Sequence, residues 1–419
     1  MKRRTLLLGG LAGAAGAGLL LRPSDRGAPH APYFRTLSSA LDSAGHSGPR
    51  LVIDRKLLRA NIDTLLGHID NRFAYRIVAK SLPSIPLLRE VMQISGSNRL
   101  MLFHQPFISR VAEDLPEADV LLGKPMPVAA AAAFYQQRPN TTFNPSRQLH
   151  WLMDTPARVQ QYARLAAELN EQLQVCIELD VGLHRGGVQT DTQLLKMLDE
   201  IRSASHLQFT GLMGYEPHVV KVPGNPETYR DKAMTAYSHY VELAKSHLGD
   251  DWPGDVILNC AGSPTYQLYN HGDYPFNELA AGSCLVKPSD FDIPTLADHV
   301  PASYIATPVL KSTGSVQIPG INLGPLQSLW DPNRRRTVFT YGGAWKAEPV
   351  SPAGLSVNPL YGRSTNQEML NGSEATDLRV DDWVFLRPTQ SEFVFLQFGD
   401  LAVFEDGKVQ AYWPVFSQT

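Results

Sequence analysis

The chain has 419 residues, of which 43% are hydrophobic and 19% charged, with a formal net charge of -3. That length holds two domains, or one barrel with an appendage. The near-neutral balance and scattered lysines and arginines exclude a basic nucleic-acid footprint, so no nucleic-acid partner is expected. Three cysteines, Cys176, Cys260 and Cys284, lie in apolar runs without a CxxC partner. They read as buried structural thiols rather than a zinc knuckle or disulfide framework, although two of them can pair in an oxidising compartment.

The N-terminus reads as an export signal. Lys2-Arg3-Arg4 is charged, and Leu6 to Leu21 contains only Leu, Gly and Ala. Arg3-Arg4-Thr5-Leu6-Leu7 matches the twin-arginine pattern, whose pathway carries folded cargo. Residues 1–34 are therefore expected to be a twin-arginine-type signal, or an anchor if uncleaved. The expected location is the periplasm, with the twin-arginine export machinery as a partner.

Leu51-Val-Ile-Asp54 reads as a strand, followed by a helical pattern from Arg55 to Ile69 with Asp54 as N-cap. Next comes Phe73-Ala-Tyr-Arg-Ile-Val-Ala-Lys-Ser-Leu-Pro83, an apolar run that delivers Lys80 to a strand's end. Short apolar strands then alternate with amphipathic helices. Strands are predicted near Phe73–Ala79, Arg99–Phe103, Asp119–Leu122, Gln148–Met153, Gln174–Asp180, Leu207–Met213, Asp255–Cys260 and Leu279–Val286. Helices are predicted at Ile85–Gln93, Val128–Gln136, Pro156–Asn170, Thr192–Ser203 and Pro226–His247. Eight such units over this length predict an α/β fold, a (β/α)8 TIM barrel spanning residues 45–300. A doubly wound sheet is the alternative, but no GxGxxG turn follows a first strand.

Barrel chemistry sits where strands end, and there the unusual residues gather. Asp180-Val-Gly-Leu-His-Arg-Gly-Gly187 follows one strand, and Gly214-Tyr-Glu-Pro-His218 follows the next. Cys260-Ala-Gly-Ser-Pro-Thr-Tyr266 and Gly282-Ser283 follow the last two. Glycines with serine and threonine hydroxyls beside a helix start suit a phosphate. Beyond Pro301 helical periodicity fades. Short runs at Ser303–Leu310, Arg336–Tyr341, Asp382–Leu386, Phe393–Phe398, Ala402–Phe404 and Val409–Tyr412 predict a C-terminal β domain over 301–419. The Pro-, Gly-, Ser- and Asn-rich stretch from Ala344 to Asp377 reads as a long functional or interface loop.

From Leu51 onward the chain resembles the fold-type III pyridoxal-phosphate enzymes. Within them it is similar to the D-threonine aldolase and D-serine dehydratase-like group related to alanine racemase. Arg76-Ile-Val-Ala-Lys80-Ser81 is similar to the group's Arg-Pro-His-x-Lys-Thr motif. Glu178-Leu-Asp-Val-Gly-Leu-His-Arg-Gly-Gly-Val188 is the most specific match. Gly211 to His218, Cys260 to Tyr266 and Asn277 to Ser283 follow in the group's order.

The resemblance implies a barrel with a C-terminal β domain, a homodimer, an amino-acid substrate and pyridoxal 5'-phosphate. It makes Lys80 the Schiff-base lysine and base at Cα. Arg185 becomes the partner of the cofactor's phenolic oxygen, and Tyr215 the residue near its pyridine nitrogen. Gly262, Ser263, Thr265, Gly282 and Ser283 become the phosphate cradle. His218 is the candidate base or hydroxyl contact.

Two departures bear on the reaction. The histidine before the lysine is missing, and the group's metal-binding Pro-x-His-x-Cys/Asp reads Pro388-Thr-Gln390-Ser-Glu392 here. Gln390 and Glu392 suit a hard divalent cation better than zinc. The expected activity is a lyase acting on a D-amino or β-hydroxy amino acid. The alternatives are an amino-acid racemase, with Tyr341 or Tyr361 as second base, and a non-catalytic binding protein.

Overall fold

The computed structural model describes residues 22–317 and 329–418. The Lys2–Leu21 portion of the expected export signal lies outside the described residues. Among the described residues no helix is long and apolar enough to cross a membrane.

Strand β1, Arg50–Asp54, leads into the helix Arg55–Ile69. Asp54 caps that helix as predicted, its side chain accepting from the Leu57 amide at 3.0 Å. Eight strands then close into a barrel: β2 Ala74–Val78, β3 Arg99–Leu102, β4 Asp119–Leu122, β5 Leu149–Met153, β6 Leu173–Leu179, β7 Leu207–Gly214, β8 Ile257–Cys260 and β9 Glu278–Ala281. They pair in parallel, and β2 closes the ring on β9. The predicted TIM barrel is therefore present. Its strands are buried on both faces, which is why they read as near-continuous apolar runs. Thr155, Thr190 and Asn225 cap the outer helices Pro156–Leu169, Asp191–Ser203 and Pro226–Leu248 with side-chain oxygens.

The barrel interior carries charge as well as apolar packing. Arg76 is wholly buried, with Nε 2.5 Å from Glu278 Oε1 and Nη2 2.7 Å from Asp119 Oδ1. Arg99 Nη1 reaches the other Glu278 oxygen at 2.6 Å.

The eighth predicted strand is shorter than expected. It stops at Ala281, and Ser283–Val286 turns into a short helix. Gly282 lies so close to β2 that an added Cβ would sit 2.7 Å from the Val78 carbonyl oxygen. The chain bends there instead of continuing along the sheet.

The C-terminal β domain is also present. Its strands are β10 Ser303–Thr313, β11 Arg336–Thr340, β12 Ala347–Ser351, β13 Ser356–Val357, β14 Met369–Gly372, β15 Trp383–Pro388, β16 Leu401–Glu405 and β17 Lys408–Trp413. With β1 they form a nine-stranded sheet in the order β13-β14-β11-β10-β1-β16-β17, with β15 pairing β10 and β12. The helix Pro32–Ser43 packs Leu37, Ala40 and Leu41 on Val52, Ala306, Trp383, Phe385, Ala402 and Phe404.

Two expectations here are corrected. The Ala344–Asp377 stretch is not one loop, since it carries β12, β13 and β14. Pro349 hid β12, and it is tolerated because among the described residues β12 pairs on one side, with β15. The run Phe393–Phe398 is not a strand, because Glu392–Phe395 is a short helix with the Phe395 amide bonded to the Ser391 carbonyl at 3.1 Å.

The chain forms two compact units, and Gln390–Leu401 belongs with Ile53–Ala302 in the barrel unit. Cys176, Cys260 and Cys284 are free and buried, as structural thiols.

Candidate active site

The C-terminal ends of the barrel strands surround a cavity of about 580 Å³. Lys80 enters it from a short 3-10 turn, Ala79–Ser81, just beyond β2. Its Nζ lies 2.6 Å from Glu392 Oε1 and 4.7 Å from the centre of the Phe103 ring. Glu392 opens the short helix that also brings Phe393 and Leu396 to the cavity wall. Their i, i+3 spacing puts both on one helical face.

Beyond β6, Asp180 ties its own loop. It accepts from the amides of Gly182 at 3.0 Å and His184 at 2.9 Å, and pairs with the His184 ring at 2.9 Å. Burial works to raise the Asp180 pKa, but these donors together hold it below the ordinary value. Gly187 is required here, since an added Cβ would stand 2.8 Å from the Leu179 backbone, and its φ is +92°. The loop thereby projects Arg185 over the Tyr215 ring, with 5.4 Å between guanidinium carbon and ring centre. Burial pushes the Tyr215 hydroxyl up to about 12, so it stays protonated at neutral pH.

The ends of β8 and β9 form one rim. Gly262 approaches Tyr215 so closely that a Cβ would meet its ring at 2.7 Å. Ser263 Oγ accepts from the amides of Gly282 at 3.0 Å and Cys284 at 3.2 Å, binding the two strand ends together. Ser283 and Ser81 share a hydroxyl hydrogen bond of 2.9 Å.

Lys80, Arg185, Tyr215, Gly262, Ser263, Gly282, Ser283 and Glu392 all line this cavity, while Thr265 and His218 are not among its lining residues. The Thr265 hydroxyl is wholly buried and donates to Glu216. His218 sits against Gly182, and burial lowers its pKa. Tyr341 and Tyr361 are exposed residues of the other unit.

Sequence reasoning passed over Phe103 and Glu216. Glu216 had a signal, a carboxylate between Tyr215 and Pro217 directly after a buried strand. Phe103 had none, as one more apolar residue at the end of an apolar run.

The residues present fit pyridoxal 5'-phosphate. An accessible amine, a guanidinium over a half-buried tyrosine ring and a glycine–serine rim share one cavity of adequate size. They do not fit a metal centre. Of the two candidates, Glu392 has its carboxylate engaged by Lys80 Nζ at 2.6 Å. Among the described residues no group of three or more His, Cys, Asp or Glu side chains is arranged to hold an ion.

The description "Alanine racemase, N-terminal domain" matches residues 53–290, more than half of the chain. The chain belongs to that family, and so to the fold-type III pyridoxal-phosphate group. Among solved structures it is similar to D-threonine aldolase from Filomicrobium marinum, at 15% identity over 89% of this chain and 98% of that one, with a TM-score of 0.70. It is also similar to D-threo-3-hydroxyaspartate dehydratase from Delftia sp. HT23, at 16% identity over 88% and 99%, with a TM-score of 0.65. Alanine racemase from Bacillus anthracis aligns at 13% identity over 88% and 98%, with a TM-score of 0.65. No curated protein sequence matches the chain. At such identities the likeness to these structures is one of fold.

Proposed function

We propose that this chain is a pyridoxal 5'-phosphate lyase acting on a D-amino or β-hydroxy amino acid by retro-aldol cleavage or β-elimination. The observation that carries the reading is the pairing of Lys80 Nζ with Glu392 Oε1, 2.6 Å apart in one cavity. An amine beside a carboxylate supplies one proton carrier for the α-carbon and another for a hydroxyl on the next carbon. The likeness to a D-threonine aldolase and a D-threo-3-hydroxyaspartate dehydratase supports the same substrate class.

When bound, the cofactor supplies an electron sink for a bond broken at the α-carbon. Lys80 holds it through Nζ and carries the proton at that carbon. Arg185 presents a permanent positive charge to an oxygen anion. Gly262, Ser263, Gly282 and Ser283 form a rim for a phosphate. Glu392 takes or returns the proton of a substrate hydroxyl. The reading includes a homodimer, supported by the family resemblance, and export to the periplasm, supported by Arg3-Arg4 and the run Leu6–Leu21.

The test is purified protein incubated with pyridoxal phosphate, reduced with borohydride and mapped by mass spectrometry. The label is expected on Lys80 and absent from Lys80→Ala; a labelled variant would sink the cofactor assignment. Loaded protein is then given D-threonine and D-serine. Glycine with acetaldehyde marks an aldolase, and a keto acid with ammonia marks a dehydratase. An L-enantiomer as the main product would replace the lyase reading with racemization.

A further inference from the structure

We propose that Glu216 is a positioning residue that shapes the Ala261–Thr265 turn into a phosphate cradle. The inference rests on the cofactor reading above and deepens it. Glu216 has no exposed surface, yet no lysine or arginine pairs with it among the described residues. Its carboxyl instead collects uncharged donors. Thr265 Oγ1 donates to Oε1 at 2.6 Å and the Tyr269 hydroxyl donates to Oε1 at 3.2 Å. The Ala261 amide reaches Oε2 at 3.2 Å, and the Cys260 thiol reaches it at 3.4 Å. A buried carboxyl placed only to stabilise the barrel wall would be better replaced by an apolar side chain.

The donors say what the group does. Ala261 and Thr265 are the two ends of the turn, whose residues from Ala261 to Pro264 line the cavity. Thr265 Oγ1 also accepts the Gly262 amide at 3.2 Å, so Glu216 controls that amide through one intermediate atom. Ala261 has φ +62°, a left-handed conformation unfavourable to a residue with a Cβ, and its amide bond to Glu216 holds it there. With both ends tied to Glu216, the turn is held against the cavity. From there Ser263 Oγ carries the alignment to the amides of Gly282 and Cys284 on the facing rim. Burial works to raise the pKa of the Glu216 carboxyl, and the donors gathered around it work the other way.

The experiment compares full-length wild type, Glu216→Gln, Thr265→Val and Thr265→Ser, each stripped of cofactor. It measures the affinity of each for pyridoxal phosphate and for pyridoxal, which lacks the phosphate. Glu216→Gln and Thr265→Val are expected to weaken pyridoxal phosphate about tenfold or more while moving pyridoxal much less, because each leaves a buried donor of the turn misdirected. Thr265→Ser, which keeps the hydroxyl, is expected to retain the wild-type ratio. Equal losses for both compounds, or an unchanged ratio in Thr265→Val, would overturn the positioning role. A wild type that prefers neither compound would overturn the cofactor reading along with it. If Glu216→Gln does not fold, the Thr265 pair still decides the matter.

Discussion

Lys80 and Glu392 meet at 2.6 Å with side chains 37% and 39% exposed, so water screens their attraction. A pair of that kind adds about 0–1 kcal/mol to stability. Loss of the carboxylate should therefore register in turnover rather than in folding. Glu392→Gln is expected to lower turnover about 100-fold or more, the size of a lost proton carrier, with little change in thermal midpoint. Wild-type turnover in that variant would remove Glu392 from the chemistry. The buried pair Arg76–Glu278 should behave in the opposite way. Burial works against the ionised Glu278, but Arg76 and Arg99 outweigh it and hold its pKa below the ordinary value. A depressed folded-state pKa means a contribution fully present above the unfolded value of about 4.3 and lost as pH falls through the folded one. Glu278→Gln is expected to cost about 3 kcal/mol at pH 7, because the buried Arg76 guanidinium loses one of its two carboxylate partners. The gap from wild type should narrow at acid pH. Denaturant titrations from pH 7 down to pH 3 would reveal it, and a constant gap would contradict the sign. Lys80 and Arg185 were legible in the sequence because each follows an apolar strand in a motif with fixed neighbours. Glu392 was legible only as a motif departure, since its meeting with Lys80 joins positions 80 and 392, which no local pattern connects.

Strand ends matter more here than strand interiors, and β7 shows how one residue sets them. Gly211 pairs with Ile257 of β8, and an added Cβ would fall 2.0 Å from the Ile257 carbonyl oxygen. Backbone cannot yield as a flexible side chain does, so Gly211→Ala must push β7 from β8. The expected cost is about 1–3 kcal/mol, with weaker cofactor binding, because β7 delivers Tyr215 to the cavity. Gly254→Ala is the control, having nothing within 4 Å of its added Cβ. If both variants unfold at the same midpoint, the close approach of the strands is not what requires glycine. The barrel elements were readable for a simple reason: helices with threonine and asparagine caps alternate with predominantly apolar strands. The errors fell where local composition and tertiary pairing disagree. Pro349 lies in an edge strand, and Phe393 to Leu396 is an apolar run whose neighbours, rather than its propensity, make it helical.

For the whole molecule, the number of strands determined the architecture, while the reaction depends on residues from separate parts of the chain. Eight alternating units predict a closed barrel whatever chemistry its rim carries, which is why relatives with different activities share this fold at 13–16% identity. The cofactor reading also bears on the proposed export. Pyridoxal phosphate bound through Lys80 needs the closed barrel, because the cavity draws residues from Val78 to Leu396. An unfolded chain would cross a membrane without it. The proposed twin-arginine route, which carries folded cargo, would solve that problem, with Arg3-Arg4 as its proposed signature. Replacing both arginines, Arg3→Lys with Arg4→Lys, is expected to trap folded, cofactor-loaded protein in the cytoplasm while leaving its absorbance and turnover unchanged. Cell fractionation with borohydride labelling of Lys80 checks both halves at once. Periplasmic, labelled protein from the double variant would show that the paired arginines do not direct export.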